Sequence, residues 1–203
     1  DNVYFYEVGR RLGIDKMSAM ARAFGLGTWT GIDLPNESDG NVASEEYKRK
    51  VFNQDWYLGE TFDAAIGQSY TLTTPLQMAM VYSAVANGGV LYKPYLVNRI
   101  DELDGTPMKI FEPQKTGILP VSRANLDVIR NALRGVMQKG GTGEDTFENF
   151  PIATAGKSGT AETNGLDNAW FVAYAPFDKP EIVVLVMFEH SGFGADSSAP
   201  VVK

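Results

Sequence analysis

The sequence predicts an α/β fold in which helices cover both faces of an antiparallel sheet. Near the C-terminal end, three strand-like segments follow one another with short connections, which is typical of an antiparallel meander. Upstream of them, four segments carry apolar residues at helical spacing between start and stop signals. With 203 residues, 44% of them hydrophobic, the chain can bury a sizeable core, and nothing in it indicates more than one domain.

The first two helices are predicted to be short and to follow each other closely. Residues 4–12 form the first and end at Gly13, a residue that commonly terminates helices. Asp15 is predicted to cap the second helix, which ends before Gly25. One face of that helix is apolar and is made of Met17, Met20, Ala21 and Phe24.

The third and fourth helices have stronger start signals. Thr74 is a good cap and Pro75 suits the first helical turn, so the third helix is predicted to begin there and to end at Asn87. Ser122 is predicted to cap the fourth helix, whose apolar residues continue to the stop at Gly140.

The segments between the helices are predicted to be irregular or hairpin-like. Residues 35–59 form a long polar stretch, in which the mixed charges of residues 45–50 indicate a solvated face. Residues 90–110 are predicted to form a hairpin that turns at Asp104-Gly105.

The three strands of the sheet are predicted at Ala155–Ala161, at Asn168–Ala175 and at residues 181–189, with a turn at residues 176–180. The first strand would then lie toward one side of the sheet. An exposed strand edge can pair with an extended peptide through its main-chain groups, so this strand is a candidate peptide-binding edge.

That first strand contains Lys157-Ser158-Gly159-Thr160, which three catalytic motifs could explain. A nucleotide-binding P-loop requires a glycine at position 151, where the chain has Pro151. A nucleophile elbow centred on Ser158 requires a glycine where Thr160 stands, and His190 would have to be its base. The third motif, the K-[ST]-G of penicillin-recognising serine enzymes, matches at every position.

Several further segments support the third motif. Besides the lysine strand, they are 3–9 (VYFYEVG), 24–27 (FGLG), 30–35 (TGIDLP), 56–61 (WYLGET), 65–70 (AIGQSY) and 73–79 (TTPLQMA). In these segments, and in their order along the chain, the sequence resembles the C-terminal part of the transpeptidase domain of class B penicillin-binding proteins, and it is most similar to the elongation-type enzymes called penicillin-binding protein 2. The resemblance implies the penicillin-recognising transpeptidase fold, incomplete in this chain.

Of the family's three motifs, this sequence lacks one and matches only part of another. Members carry S-x-x-K, with the nucleophilic serine, then S-x-N, then K-[ST]-G. The sequence contains no S-x-x-K, and Asp1-Asn2 align with the last two positions of S-x-N. We therefore expect residues 1–203 to be the C-terminal part of a single transpeptidase domain, truncated at both ends and inactive alone.

The resemblance also implies roles for individual residues. It assigns catalysis to Lys157, Thr160 and Asn2. Lys157 would keep the site positive for the substrate's terminal carboxylate and support proton movement, and the hydroxyls of Ser158 and Thr160 would be candidates to bond that carboxylate. The Thr160 N–H would be an oxyanion donor, and Asn2 would orient the peptide amide. Substrate binding is implied for Ser158, Gly159, Thr160 and Ala161.

The function implied is that of a D,D-transpeptidase, which cross-links peptidoglycan through an acyl-serine and is acylated by β-lactams. Implied partners are stem peptides, β-lactam antibiotics and the cell-elongation machinery, including a membrane glycosyltransferase. The parent protein is expected at the periplasmic face of the bacterial cytoplasmic membrane.

Composition restricts the other possibilities. The net charge of −7 argues against nucleic acid, and zero cysteines exclude disulfides and thiolate metal sites. We expect no cofactor and no metal. No run of 18 apolar residues is present, so the segment is expected to be soluble as given. Two alternatives remain: a non-catalytic binding module of the same fold and, less favoured because of Pro151, a nucleotide-binding protein.

Overall fold

Nine helices and seven strands make up the structure, a computed structural model that describes residues 2–203. Asp1, which aligns with the S-x-N motif, lies outside the described residues. The helices are α1 (Asn2–Leu12), α2 (Ile14–Ala23), α3 (Glu45–Phe52), α4 (Leu58–Ala65), α5 (Pro75–Ala86), α6 (Arg123–Gly135), α7 (Glu144–Phe147), α8 (Gly194–Ser197) and α9 (Ala199–Val202). The strands are β1 (Val90–Tyr92), β2 (Arg99–Asp101), β3 (Pro107–Ile110), β4 (Lys115–Ile118), β5 (Ala155–Ala161), β6 (Asn168–Ala175) and β7 (Ile182–Phe188).

The predicted antiparallel meander is confirmed as the central sheet, in the order β5-β6-β7. β5 and β6 pair along the whole of β5, from Ala155 opposite Tyr174 to Ala161 opposite Asn168. β7 is one residue shorter at each end than the predicted 181–189. Since β5 pairs with β6 alone within the described sheet, the lysine strand is at its edge, as predicted.

Helices cover both faces of this sheet, as the sequence predicts. On one face, Ala86 of α5 packs with Ala155 and the almost fully buried Tyr174. On the other, the ring of Phe147 in α7 stacks on Phe171, with centroids 5.8 Å apart, and Ala199 of α9 joins the same cluster. The alternation of side chains along β6 thus divides the core into two layers.

Both predicted caps of the longer helices are confirmed. The Thr74 hydroxyl accepts a hydrogen bond from the Gln77 N–H at 3.1 Å, and the Gln77 side chain accepts one from the Thr74 N–H at 2.9 Å. This reciprocal arrangement satisfies two backbone donors that the helix itself cannot pair. The Ser122 hydroxyl accepts from the Asn125 N–H at 3.2 Å.

Two helix ends differ from the prediction. α2 begins at Ile14 after Gly13, so Asp15 lies in the first turn and is not the cap. α6 ends at Gly135 and not at Gly140, because the chain folds back there: the Val136 carbonyl accepts from the Gly143 N–H at 2.8 Å. That bond replaces continued helical pairing.

The polar stretch 35–59 contains all of α3 and the start of α4, which the sequence analysis missed. The interpretation of residues 45–50 as a solvated face is wrong for Lys48, which is only 1% exposed. Its ammonium lies 2.6 Å from Glu60 in α4. A buried lysine inside a charged run has no local sequence signal, because its partner is distant in the chain.

The hairpin prediction is correct for only part of residues 90–110. β2 and β3 pair as a hairpin, with Arg99 opposite Ile110, and the turn between them contains Gly105. β1, by contrast, pairs with β4, which was not predicted, and Val90 stands opposite Ile118. The β2–β3 hairpin is therefore inserted between the two strands of a second small sheet.

Candidate active site

A cavity of about 510 Å³ lies between the central sheet and the loop that leads into α5. Residues 157–163 of β5 and its continuation form one wall. Residues 66–69 and 71–73 form the opposite wall, which we call the 66–73 loop wall. The floor between the two walls is largely apolar and includes Trp170, Val172 and Leu185. A polar strand edge thus faces an irregular loop across an apolar floor.

The strand register directs alternate β5 residues toward this cavity. Directly opposed residues in an antiparallel pair project to the same face. The face that carries the cavity floor also carries Lys157, Gly159 and Ala161, which stand opposite Val172, Trp170 and Asn168. Three of the predicted site residues of β5 therefore share the cavity face, whereas Ser158 and Thr160 alternate with them and project to the opposite face.

Lys157 is the cation of this wall. Its Nζ donates to the Ser158 carbonyl oxygen at 2.8 Å and lies 3.4 Å from the Ser158 hydroxyl oxygen. Among residues 2–203, no carboxylate oxygen lies within 4.0 Å of it. Although the side chain reaches the surface, partial desolvation by the cavity walls lowers the pKa of Lys157. A lysine in this state can bind an anion or exchange a proton more readily than a fully hydrated one.

The hydroxyl groups of Ser158 and Thr160 extend the polar edge. The Ser158 Oγ lies 3.2 Å from the Thr142 Oγ1, in the glycine-rich connection that precedes α7. The Thr160 Oγ1 accepts a long hydrogen bond, 3.5 Å, from the N–H of Gly194 at the start of α8. Both residues also line the cavity, although their side chains stand on the face of the sheet opposite to Lys157, so the two hydroxyls lie at the strand edge beside the cavity.

The two glycines of β5 have different structural roles. A Cβ on Gly156 would clash with the Val172 carbonyl oxygen of β6 and with the side chain of Met137, which follows α6, so close packing of that segment against the sheet requires glycine there. A Cβ on Gly159 would meet only the Trp170 Cβ, at 3.1 Å, on the cavity side. Gly156 therefore supports the packing, whereas Gly159 keeps the cavity face of the strand open.

The 66–73 loop wall was not predicted as part of the site. Asn41 fixes its end: the Asn41 and Leu72 main chains exchange hydrogen bonds of 2.8 and 2.9 Å, and the Asn41 side chain donates to the Tyr70 carbonyl oxygen at 2.7 Å. Ser69 has φ = 66°, a conformation uncommon outside glycine. The only local signal for this wall is the cluster Gly67-Gln68-Ser69 before the Thr74 cap. Such a cluster indicates a loop, but it does not indicate that the loop lies opposite β5.

Asn2 is placed apart from the other predicted site residues. It begins α1, is exposed, and is not among the residues that line the cavity. His190, the base required by a nucleophile elbow, is also not among them; its Nδ1 lies 3.0 Å from the Leu166 carbonyl oxygen.

Residues 2–203 contain neither a metal-binding cluster nor a membrane-spanning helix. No group of three or more histidine, cysteine, aspartate or glutamate side chains within residues 2–203 is arranged to hold a metal ion. Over this same part of the chain, no helix has the length and apolarity needed to cross a membrane.

Comparison with known proteins gives consistent matches over the whole chain. The peptidoglycan D,D-transpeptidase MrdA of Haemophilus influenzae is 34% identical over 100% of this chain, which covers 34% of that protein. The structure of Pseudomonas aeruginosa PBP2 in complex with WCK 5153 superposes with a TM-score of 0.86 at 36% identity, covering 100% of this chain and 43% of that one. The complex between PBP2 and MreC from Helicobacter pylori gives a TM-score of 0.85 at 31% identity, covering 99% and 36%.

The chain thus spans about a third of the length of the curated relatives that it matches. The solved structures confirm the predicted transpeptidase fold. The family described as the penicillin binding protein transpeptidase domain matches residues 1–203. This chain belongs to the transpeptidase domain family of the penicillin-binding proteins.

Proposed function

We propose that this chain forms the substrate-binding part of a serine-type D,D-transpeptidase of peptidoglycan synthesis, whose nucleophilic serine is supplied by a preceding segment. The observation that carries the proposal is Lys157, a partly desolvated cation without a carboxylate partner among the described residues, on an open strand edge beside the cavity. Family membership and the identity to PBP2-type relatives support the reaction class.

The proposed reaction has two steps. The serine Oγ attacks the carbonyl carbon of the penultimate D-Ala, the peptide bond breaks, and the terminal D-Ala leaves after its nitrogen takes up a proton. The amine of a neighbouring peptidoglycan strand then attacks the acyl-enzyme, the serine oxygen leaves and is reprotonated, and a new peptide cross-link remains. A β-lactam follows the first step only, because opening of its ring leaves no separate leaving group.

Residues of β5 bind the substrate in this proposal. Lys157 and the hydroxyls of Ser158 and Thr160 hold the terminal carboxylate, since charge-assisted hydrogen bonds suit an anion at this edge. The Thr160 N–H donates to the oxyanion, and Gly159 and Ala161 allow the extended substrate to lie along the strand. Asn2 orients the peptide amide once the preceding segment completes the site.

The proposal extends to the setting of the complete protein. The identity of 34% and 31% to two MrdA proteins supports a place in cell elongation, at the periplasmic face of the bacterial cytoplasmic membrane, with partners that include a membrane glycosyltransferase. The Helicobacter pylori relative was solved in complex with MreC, which makes a protein of that kind a candidate partner. The net charge of −7 disfavours nucleic acid as a partner.

The two alternatives differ in their support. A nucleotide-binding role is disfavoured because Lys157 lies within a strand, whereas a P-loop lysine opens a helix. A non-catalytic module of the same fold would have the same cavity, and covalent labelling distinguishes it from the enzyme.

The test is labelling with a fluorescent penicillin. The complete protein, in which this chain is joined to the segment with S-x-x-K, is expected to form one stable covalent adduct, and the 203-residue chain alone is expected to form none. Absence of labelling in the complete, folded protein would favour the non-catalytic module. Rapid labelling of the isolated chain would show that the nucleophile has been misplaced.

A further inference from the structure

We infer that Lys48, Glu60 and Tyr70 are positioning residues, which form a partly buried polar network behind the 66–73 loop wall and hold that wall at the correct distance from β5. This inference rests on the proposed function, since the wall it concerns faces the proposed substrate site. We call the three residues the Lys48 network.

Glu60 is the centre of the network. Its Oε1 lies 2.6 Å from the Lys48 ammonium and accepts from the Tyr70 hydroxyl at 2.8 Å, and its Oε2 accepts from the Tyr57 N–H at 2.8 Å. Burial alone raises the pKa of Glu60, but these three donors outweigh burial, and the pKa lies below its ordinary value. The carboxylate is therefore held ionised by groups from α3, from the start of α4 and from the loop.

Lys48 makes the network costly to disrupt. Its side chain is 2% exposed, and its ammonium also lies 4.1 Å from the centroid of the Tyr57 ring. A buried ammonium needs its partner, because water cannot replace the lost interaction. The ion pair consequently fixes α3 against α4 and keeps Glu60 in one orientation.

Tyr70 connects this fixed carboxylate to the cavity wall. Of residues 66–73, Tyr70 alone does not line the cavity. Its ring points away from the cavity into an aromatic cluster, with centroids 5.3 Å from Phe52, 5.8 Å from Tyr47 and 6.1 Å from Trp56. The residues on either side of Tyr70 therefore take their positions in the wall from a side chain that is anchored behind it.

The conformation of the neighbouring residue supports a positioning role. Ser69 has a positive φ, which a non-glycine residue adopts only when its surroundings impose it. The Tyr70–Glu60 bond on one side and the Asn41–Leu72 pairing beyond it supply that constraint. Strain of this kind is commonly found at functional sites, where it fixes a loop in one arrangement.

Tyr70→Phe in the complete protein tests the inference. This change removes the hydroxyl and retains the ring, so the Lys48–Glu60 pair and most of the aromatic packing remain. Amide hydrogen exchange of residues 66–73 is expected to become about tenfold faster, while exchange of β5 stays unchanged, because one charge-assisted bond that holds the loop is lost.

The rate constant of acylation by a fluorescent penicillin is expected to fall about tenfold while the final labelled fraction stays at the wild-type level, because small displacements of a site wall have large effects on rate.

Tyr47→Phe is the matched control. It removes a hydroxyl from the same aromatic cluster without touching Glu60, so loop exchange and the acylation rate constant should remain at wild-type values. Unchanged loop exchange in Tyr70→Phe would overturn the inference. So would a smaller labelled fraction with an unchanged rate constant, which is the signature of partial unfolding alone. Failure of the wild-type protein to be labelled would instead overturn the proposed function, while the exchange comparison would still decide the role of Tyr70.

Discussion

The two walls of the cavity are held in different ways. The β5 wall belongs to a regular sheet, in which all seven residues of the strand pair with β6 in continuous register. The 66–73 loop wall has irregular backbone, and side-chain hydrogen bonds from Glu60 and Asn41 hold it in place. One wall is supported by many equivalent main-chain bonds, whereas the other depends on a few partly buried polar contacts.

This difference predicts whether a single substitution should affect mainly chemistry or mainly stability. In a paired strand, a side chain can be exchanged without loss of the ladder, so changes at β5 should affect chemistry more than stability. In the loop wall, the removal of one buried partner leaves another buried polar group unsatisfied, which is costly.

Glu60→Gln should have the largest effect on stability. The variant leaves the Lys48 ammonium buried without a charged partner, and breaking a buried pair in this way costs about 3 kcal/mol in the free energy of unfolding. Denaturant unfolding of the complete protein measures it. The control is Glu7→Gln, which breaks the exposed contacts of Glu7 with Arg10 and Arg11 and should change stability far less. Equal losses in the two variants would contradict the assigned burial of the Lys48 network.

Lys157→Ala should slow acylation by a β-lactam about a hundredfold, which is typical for the removal of one preorganised group that stabilises charge in a transition state. The side chain is exposed and has no ion-pair partner among residues 2–203, so stability should hardly change. Stopped-flow labelling gives the rate constant. Lys115→Ala, another exposed strand lysine, should leave that rate constant unaltered. A large loss of stability in Lys157→Ala would break the proposed contrast between the walls.

Gly156→Ala tests the one position in β5 where packing does limit the side chain. The added Cβ would clash with the Val172 carbonyl oxygen and with Met137, and overpacking of this kind costs about 2 kcal/mol. Gly135→Ala is the matched control, because a Cβ there meets nothing within 4 Å and alanine is the better helix former. Thermal unfolding should show a lower Tm for the first variant only. Equal Tm values would mean that Met137 and the β6 backbone can shift enough to accept the added methyl group.

The pH dependence of stability should give the smallest effect. The pKa of Glu60 in the folded protein lies below the ordinary value of 4.5, so its ionised form stabilises the fold above that pH. As the pH falls from 4.5 through the lowered pKa, this contribution is lost. The stability difference between wild type and Glu60→Gln should therefore shrink over the same interval. A difference that is independent of pH would mean that Glu60 does not carry the charge in this network.

The same contrast explains what could be predicted from the sequence. The β5 wall is encoded locally: alternating apolar residues predicted β6, and Lys157-Ser158-Gly159-Thr160 indicated the chemistry of the edge before any contact was known. Thr74 and Ser122 were recognisable as caps because a cap requires only neighbouring residues. Elements defined by contacts close in sequence were thus found with nearly correct bounds.

The features that the sequence did not predict depend on contacts with residues that lie outside the local pattern. Lys48 and Tyr70 acquire their roles from Glu60, and no local pattern links the three. β1 pairs with β4 across an inserted hairpin, so its partner could not be read from adjacent residues. α6 ends early because Val136 finds a partner in Gly143, although helical periodicity continues to Met137. In each case the structure is determined by a partner that the neighbouring residues do not reveal.

The chain's 3 tryptophans occupy three distinct surroundings, which gives the protein an intrinsic spectroscopic probe. Trp170 is part of the cavity floor, so its emission should respond when a ligand enters. Trp56 donates to Thr61 at 2.8 Å and lies against Tyr70, so its emission should respond to the anchoring of the loop. Trp29 is 70% exposed and supplies a solvent-like background that Trp29→Phe would remove. Fluorescence from two native residues should therefore report on the cavity floor and on the anchoring of the loop, without an attached dye.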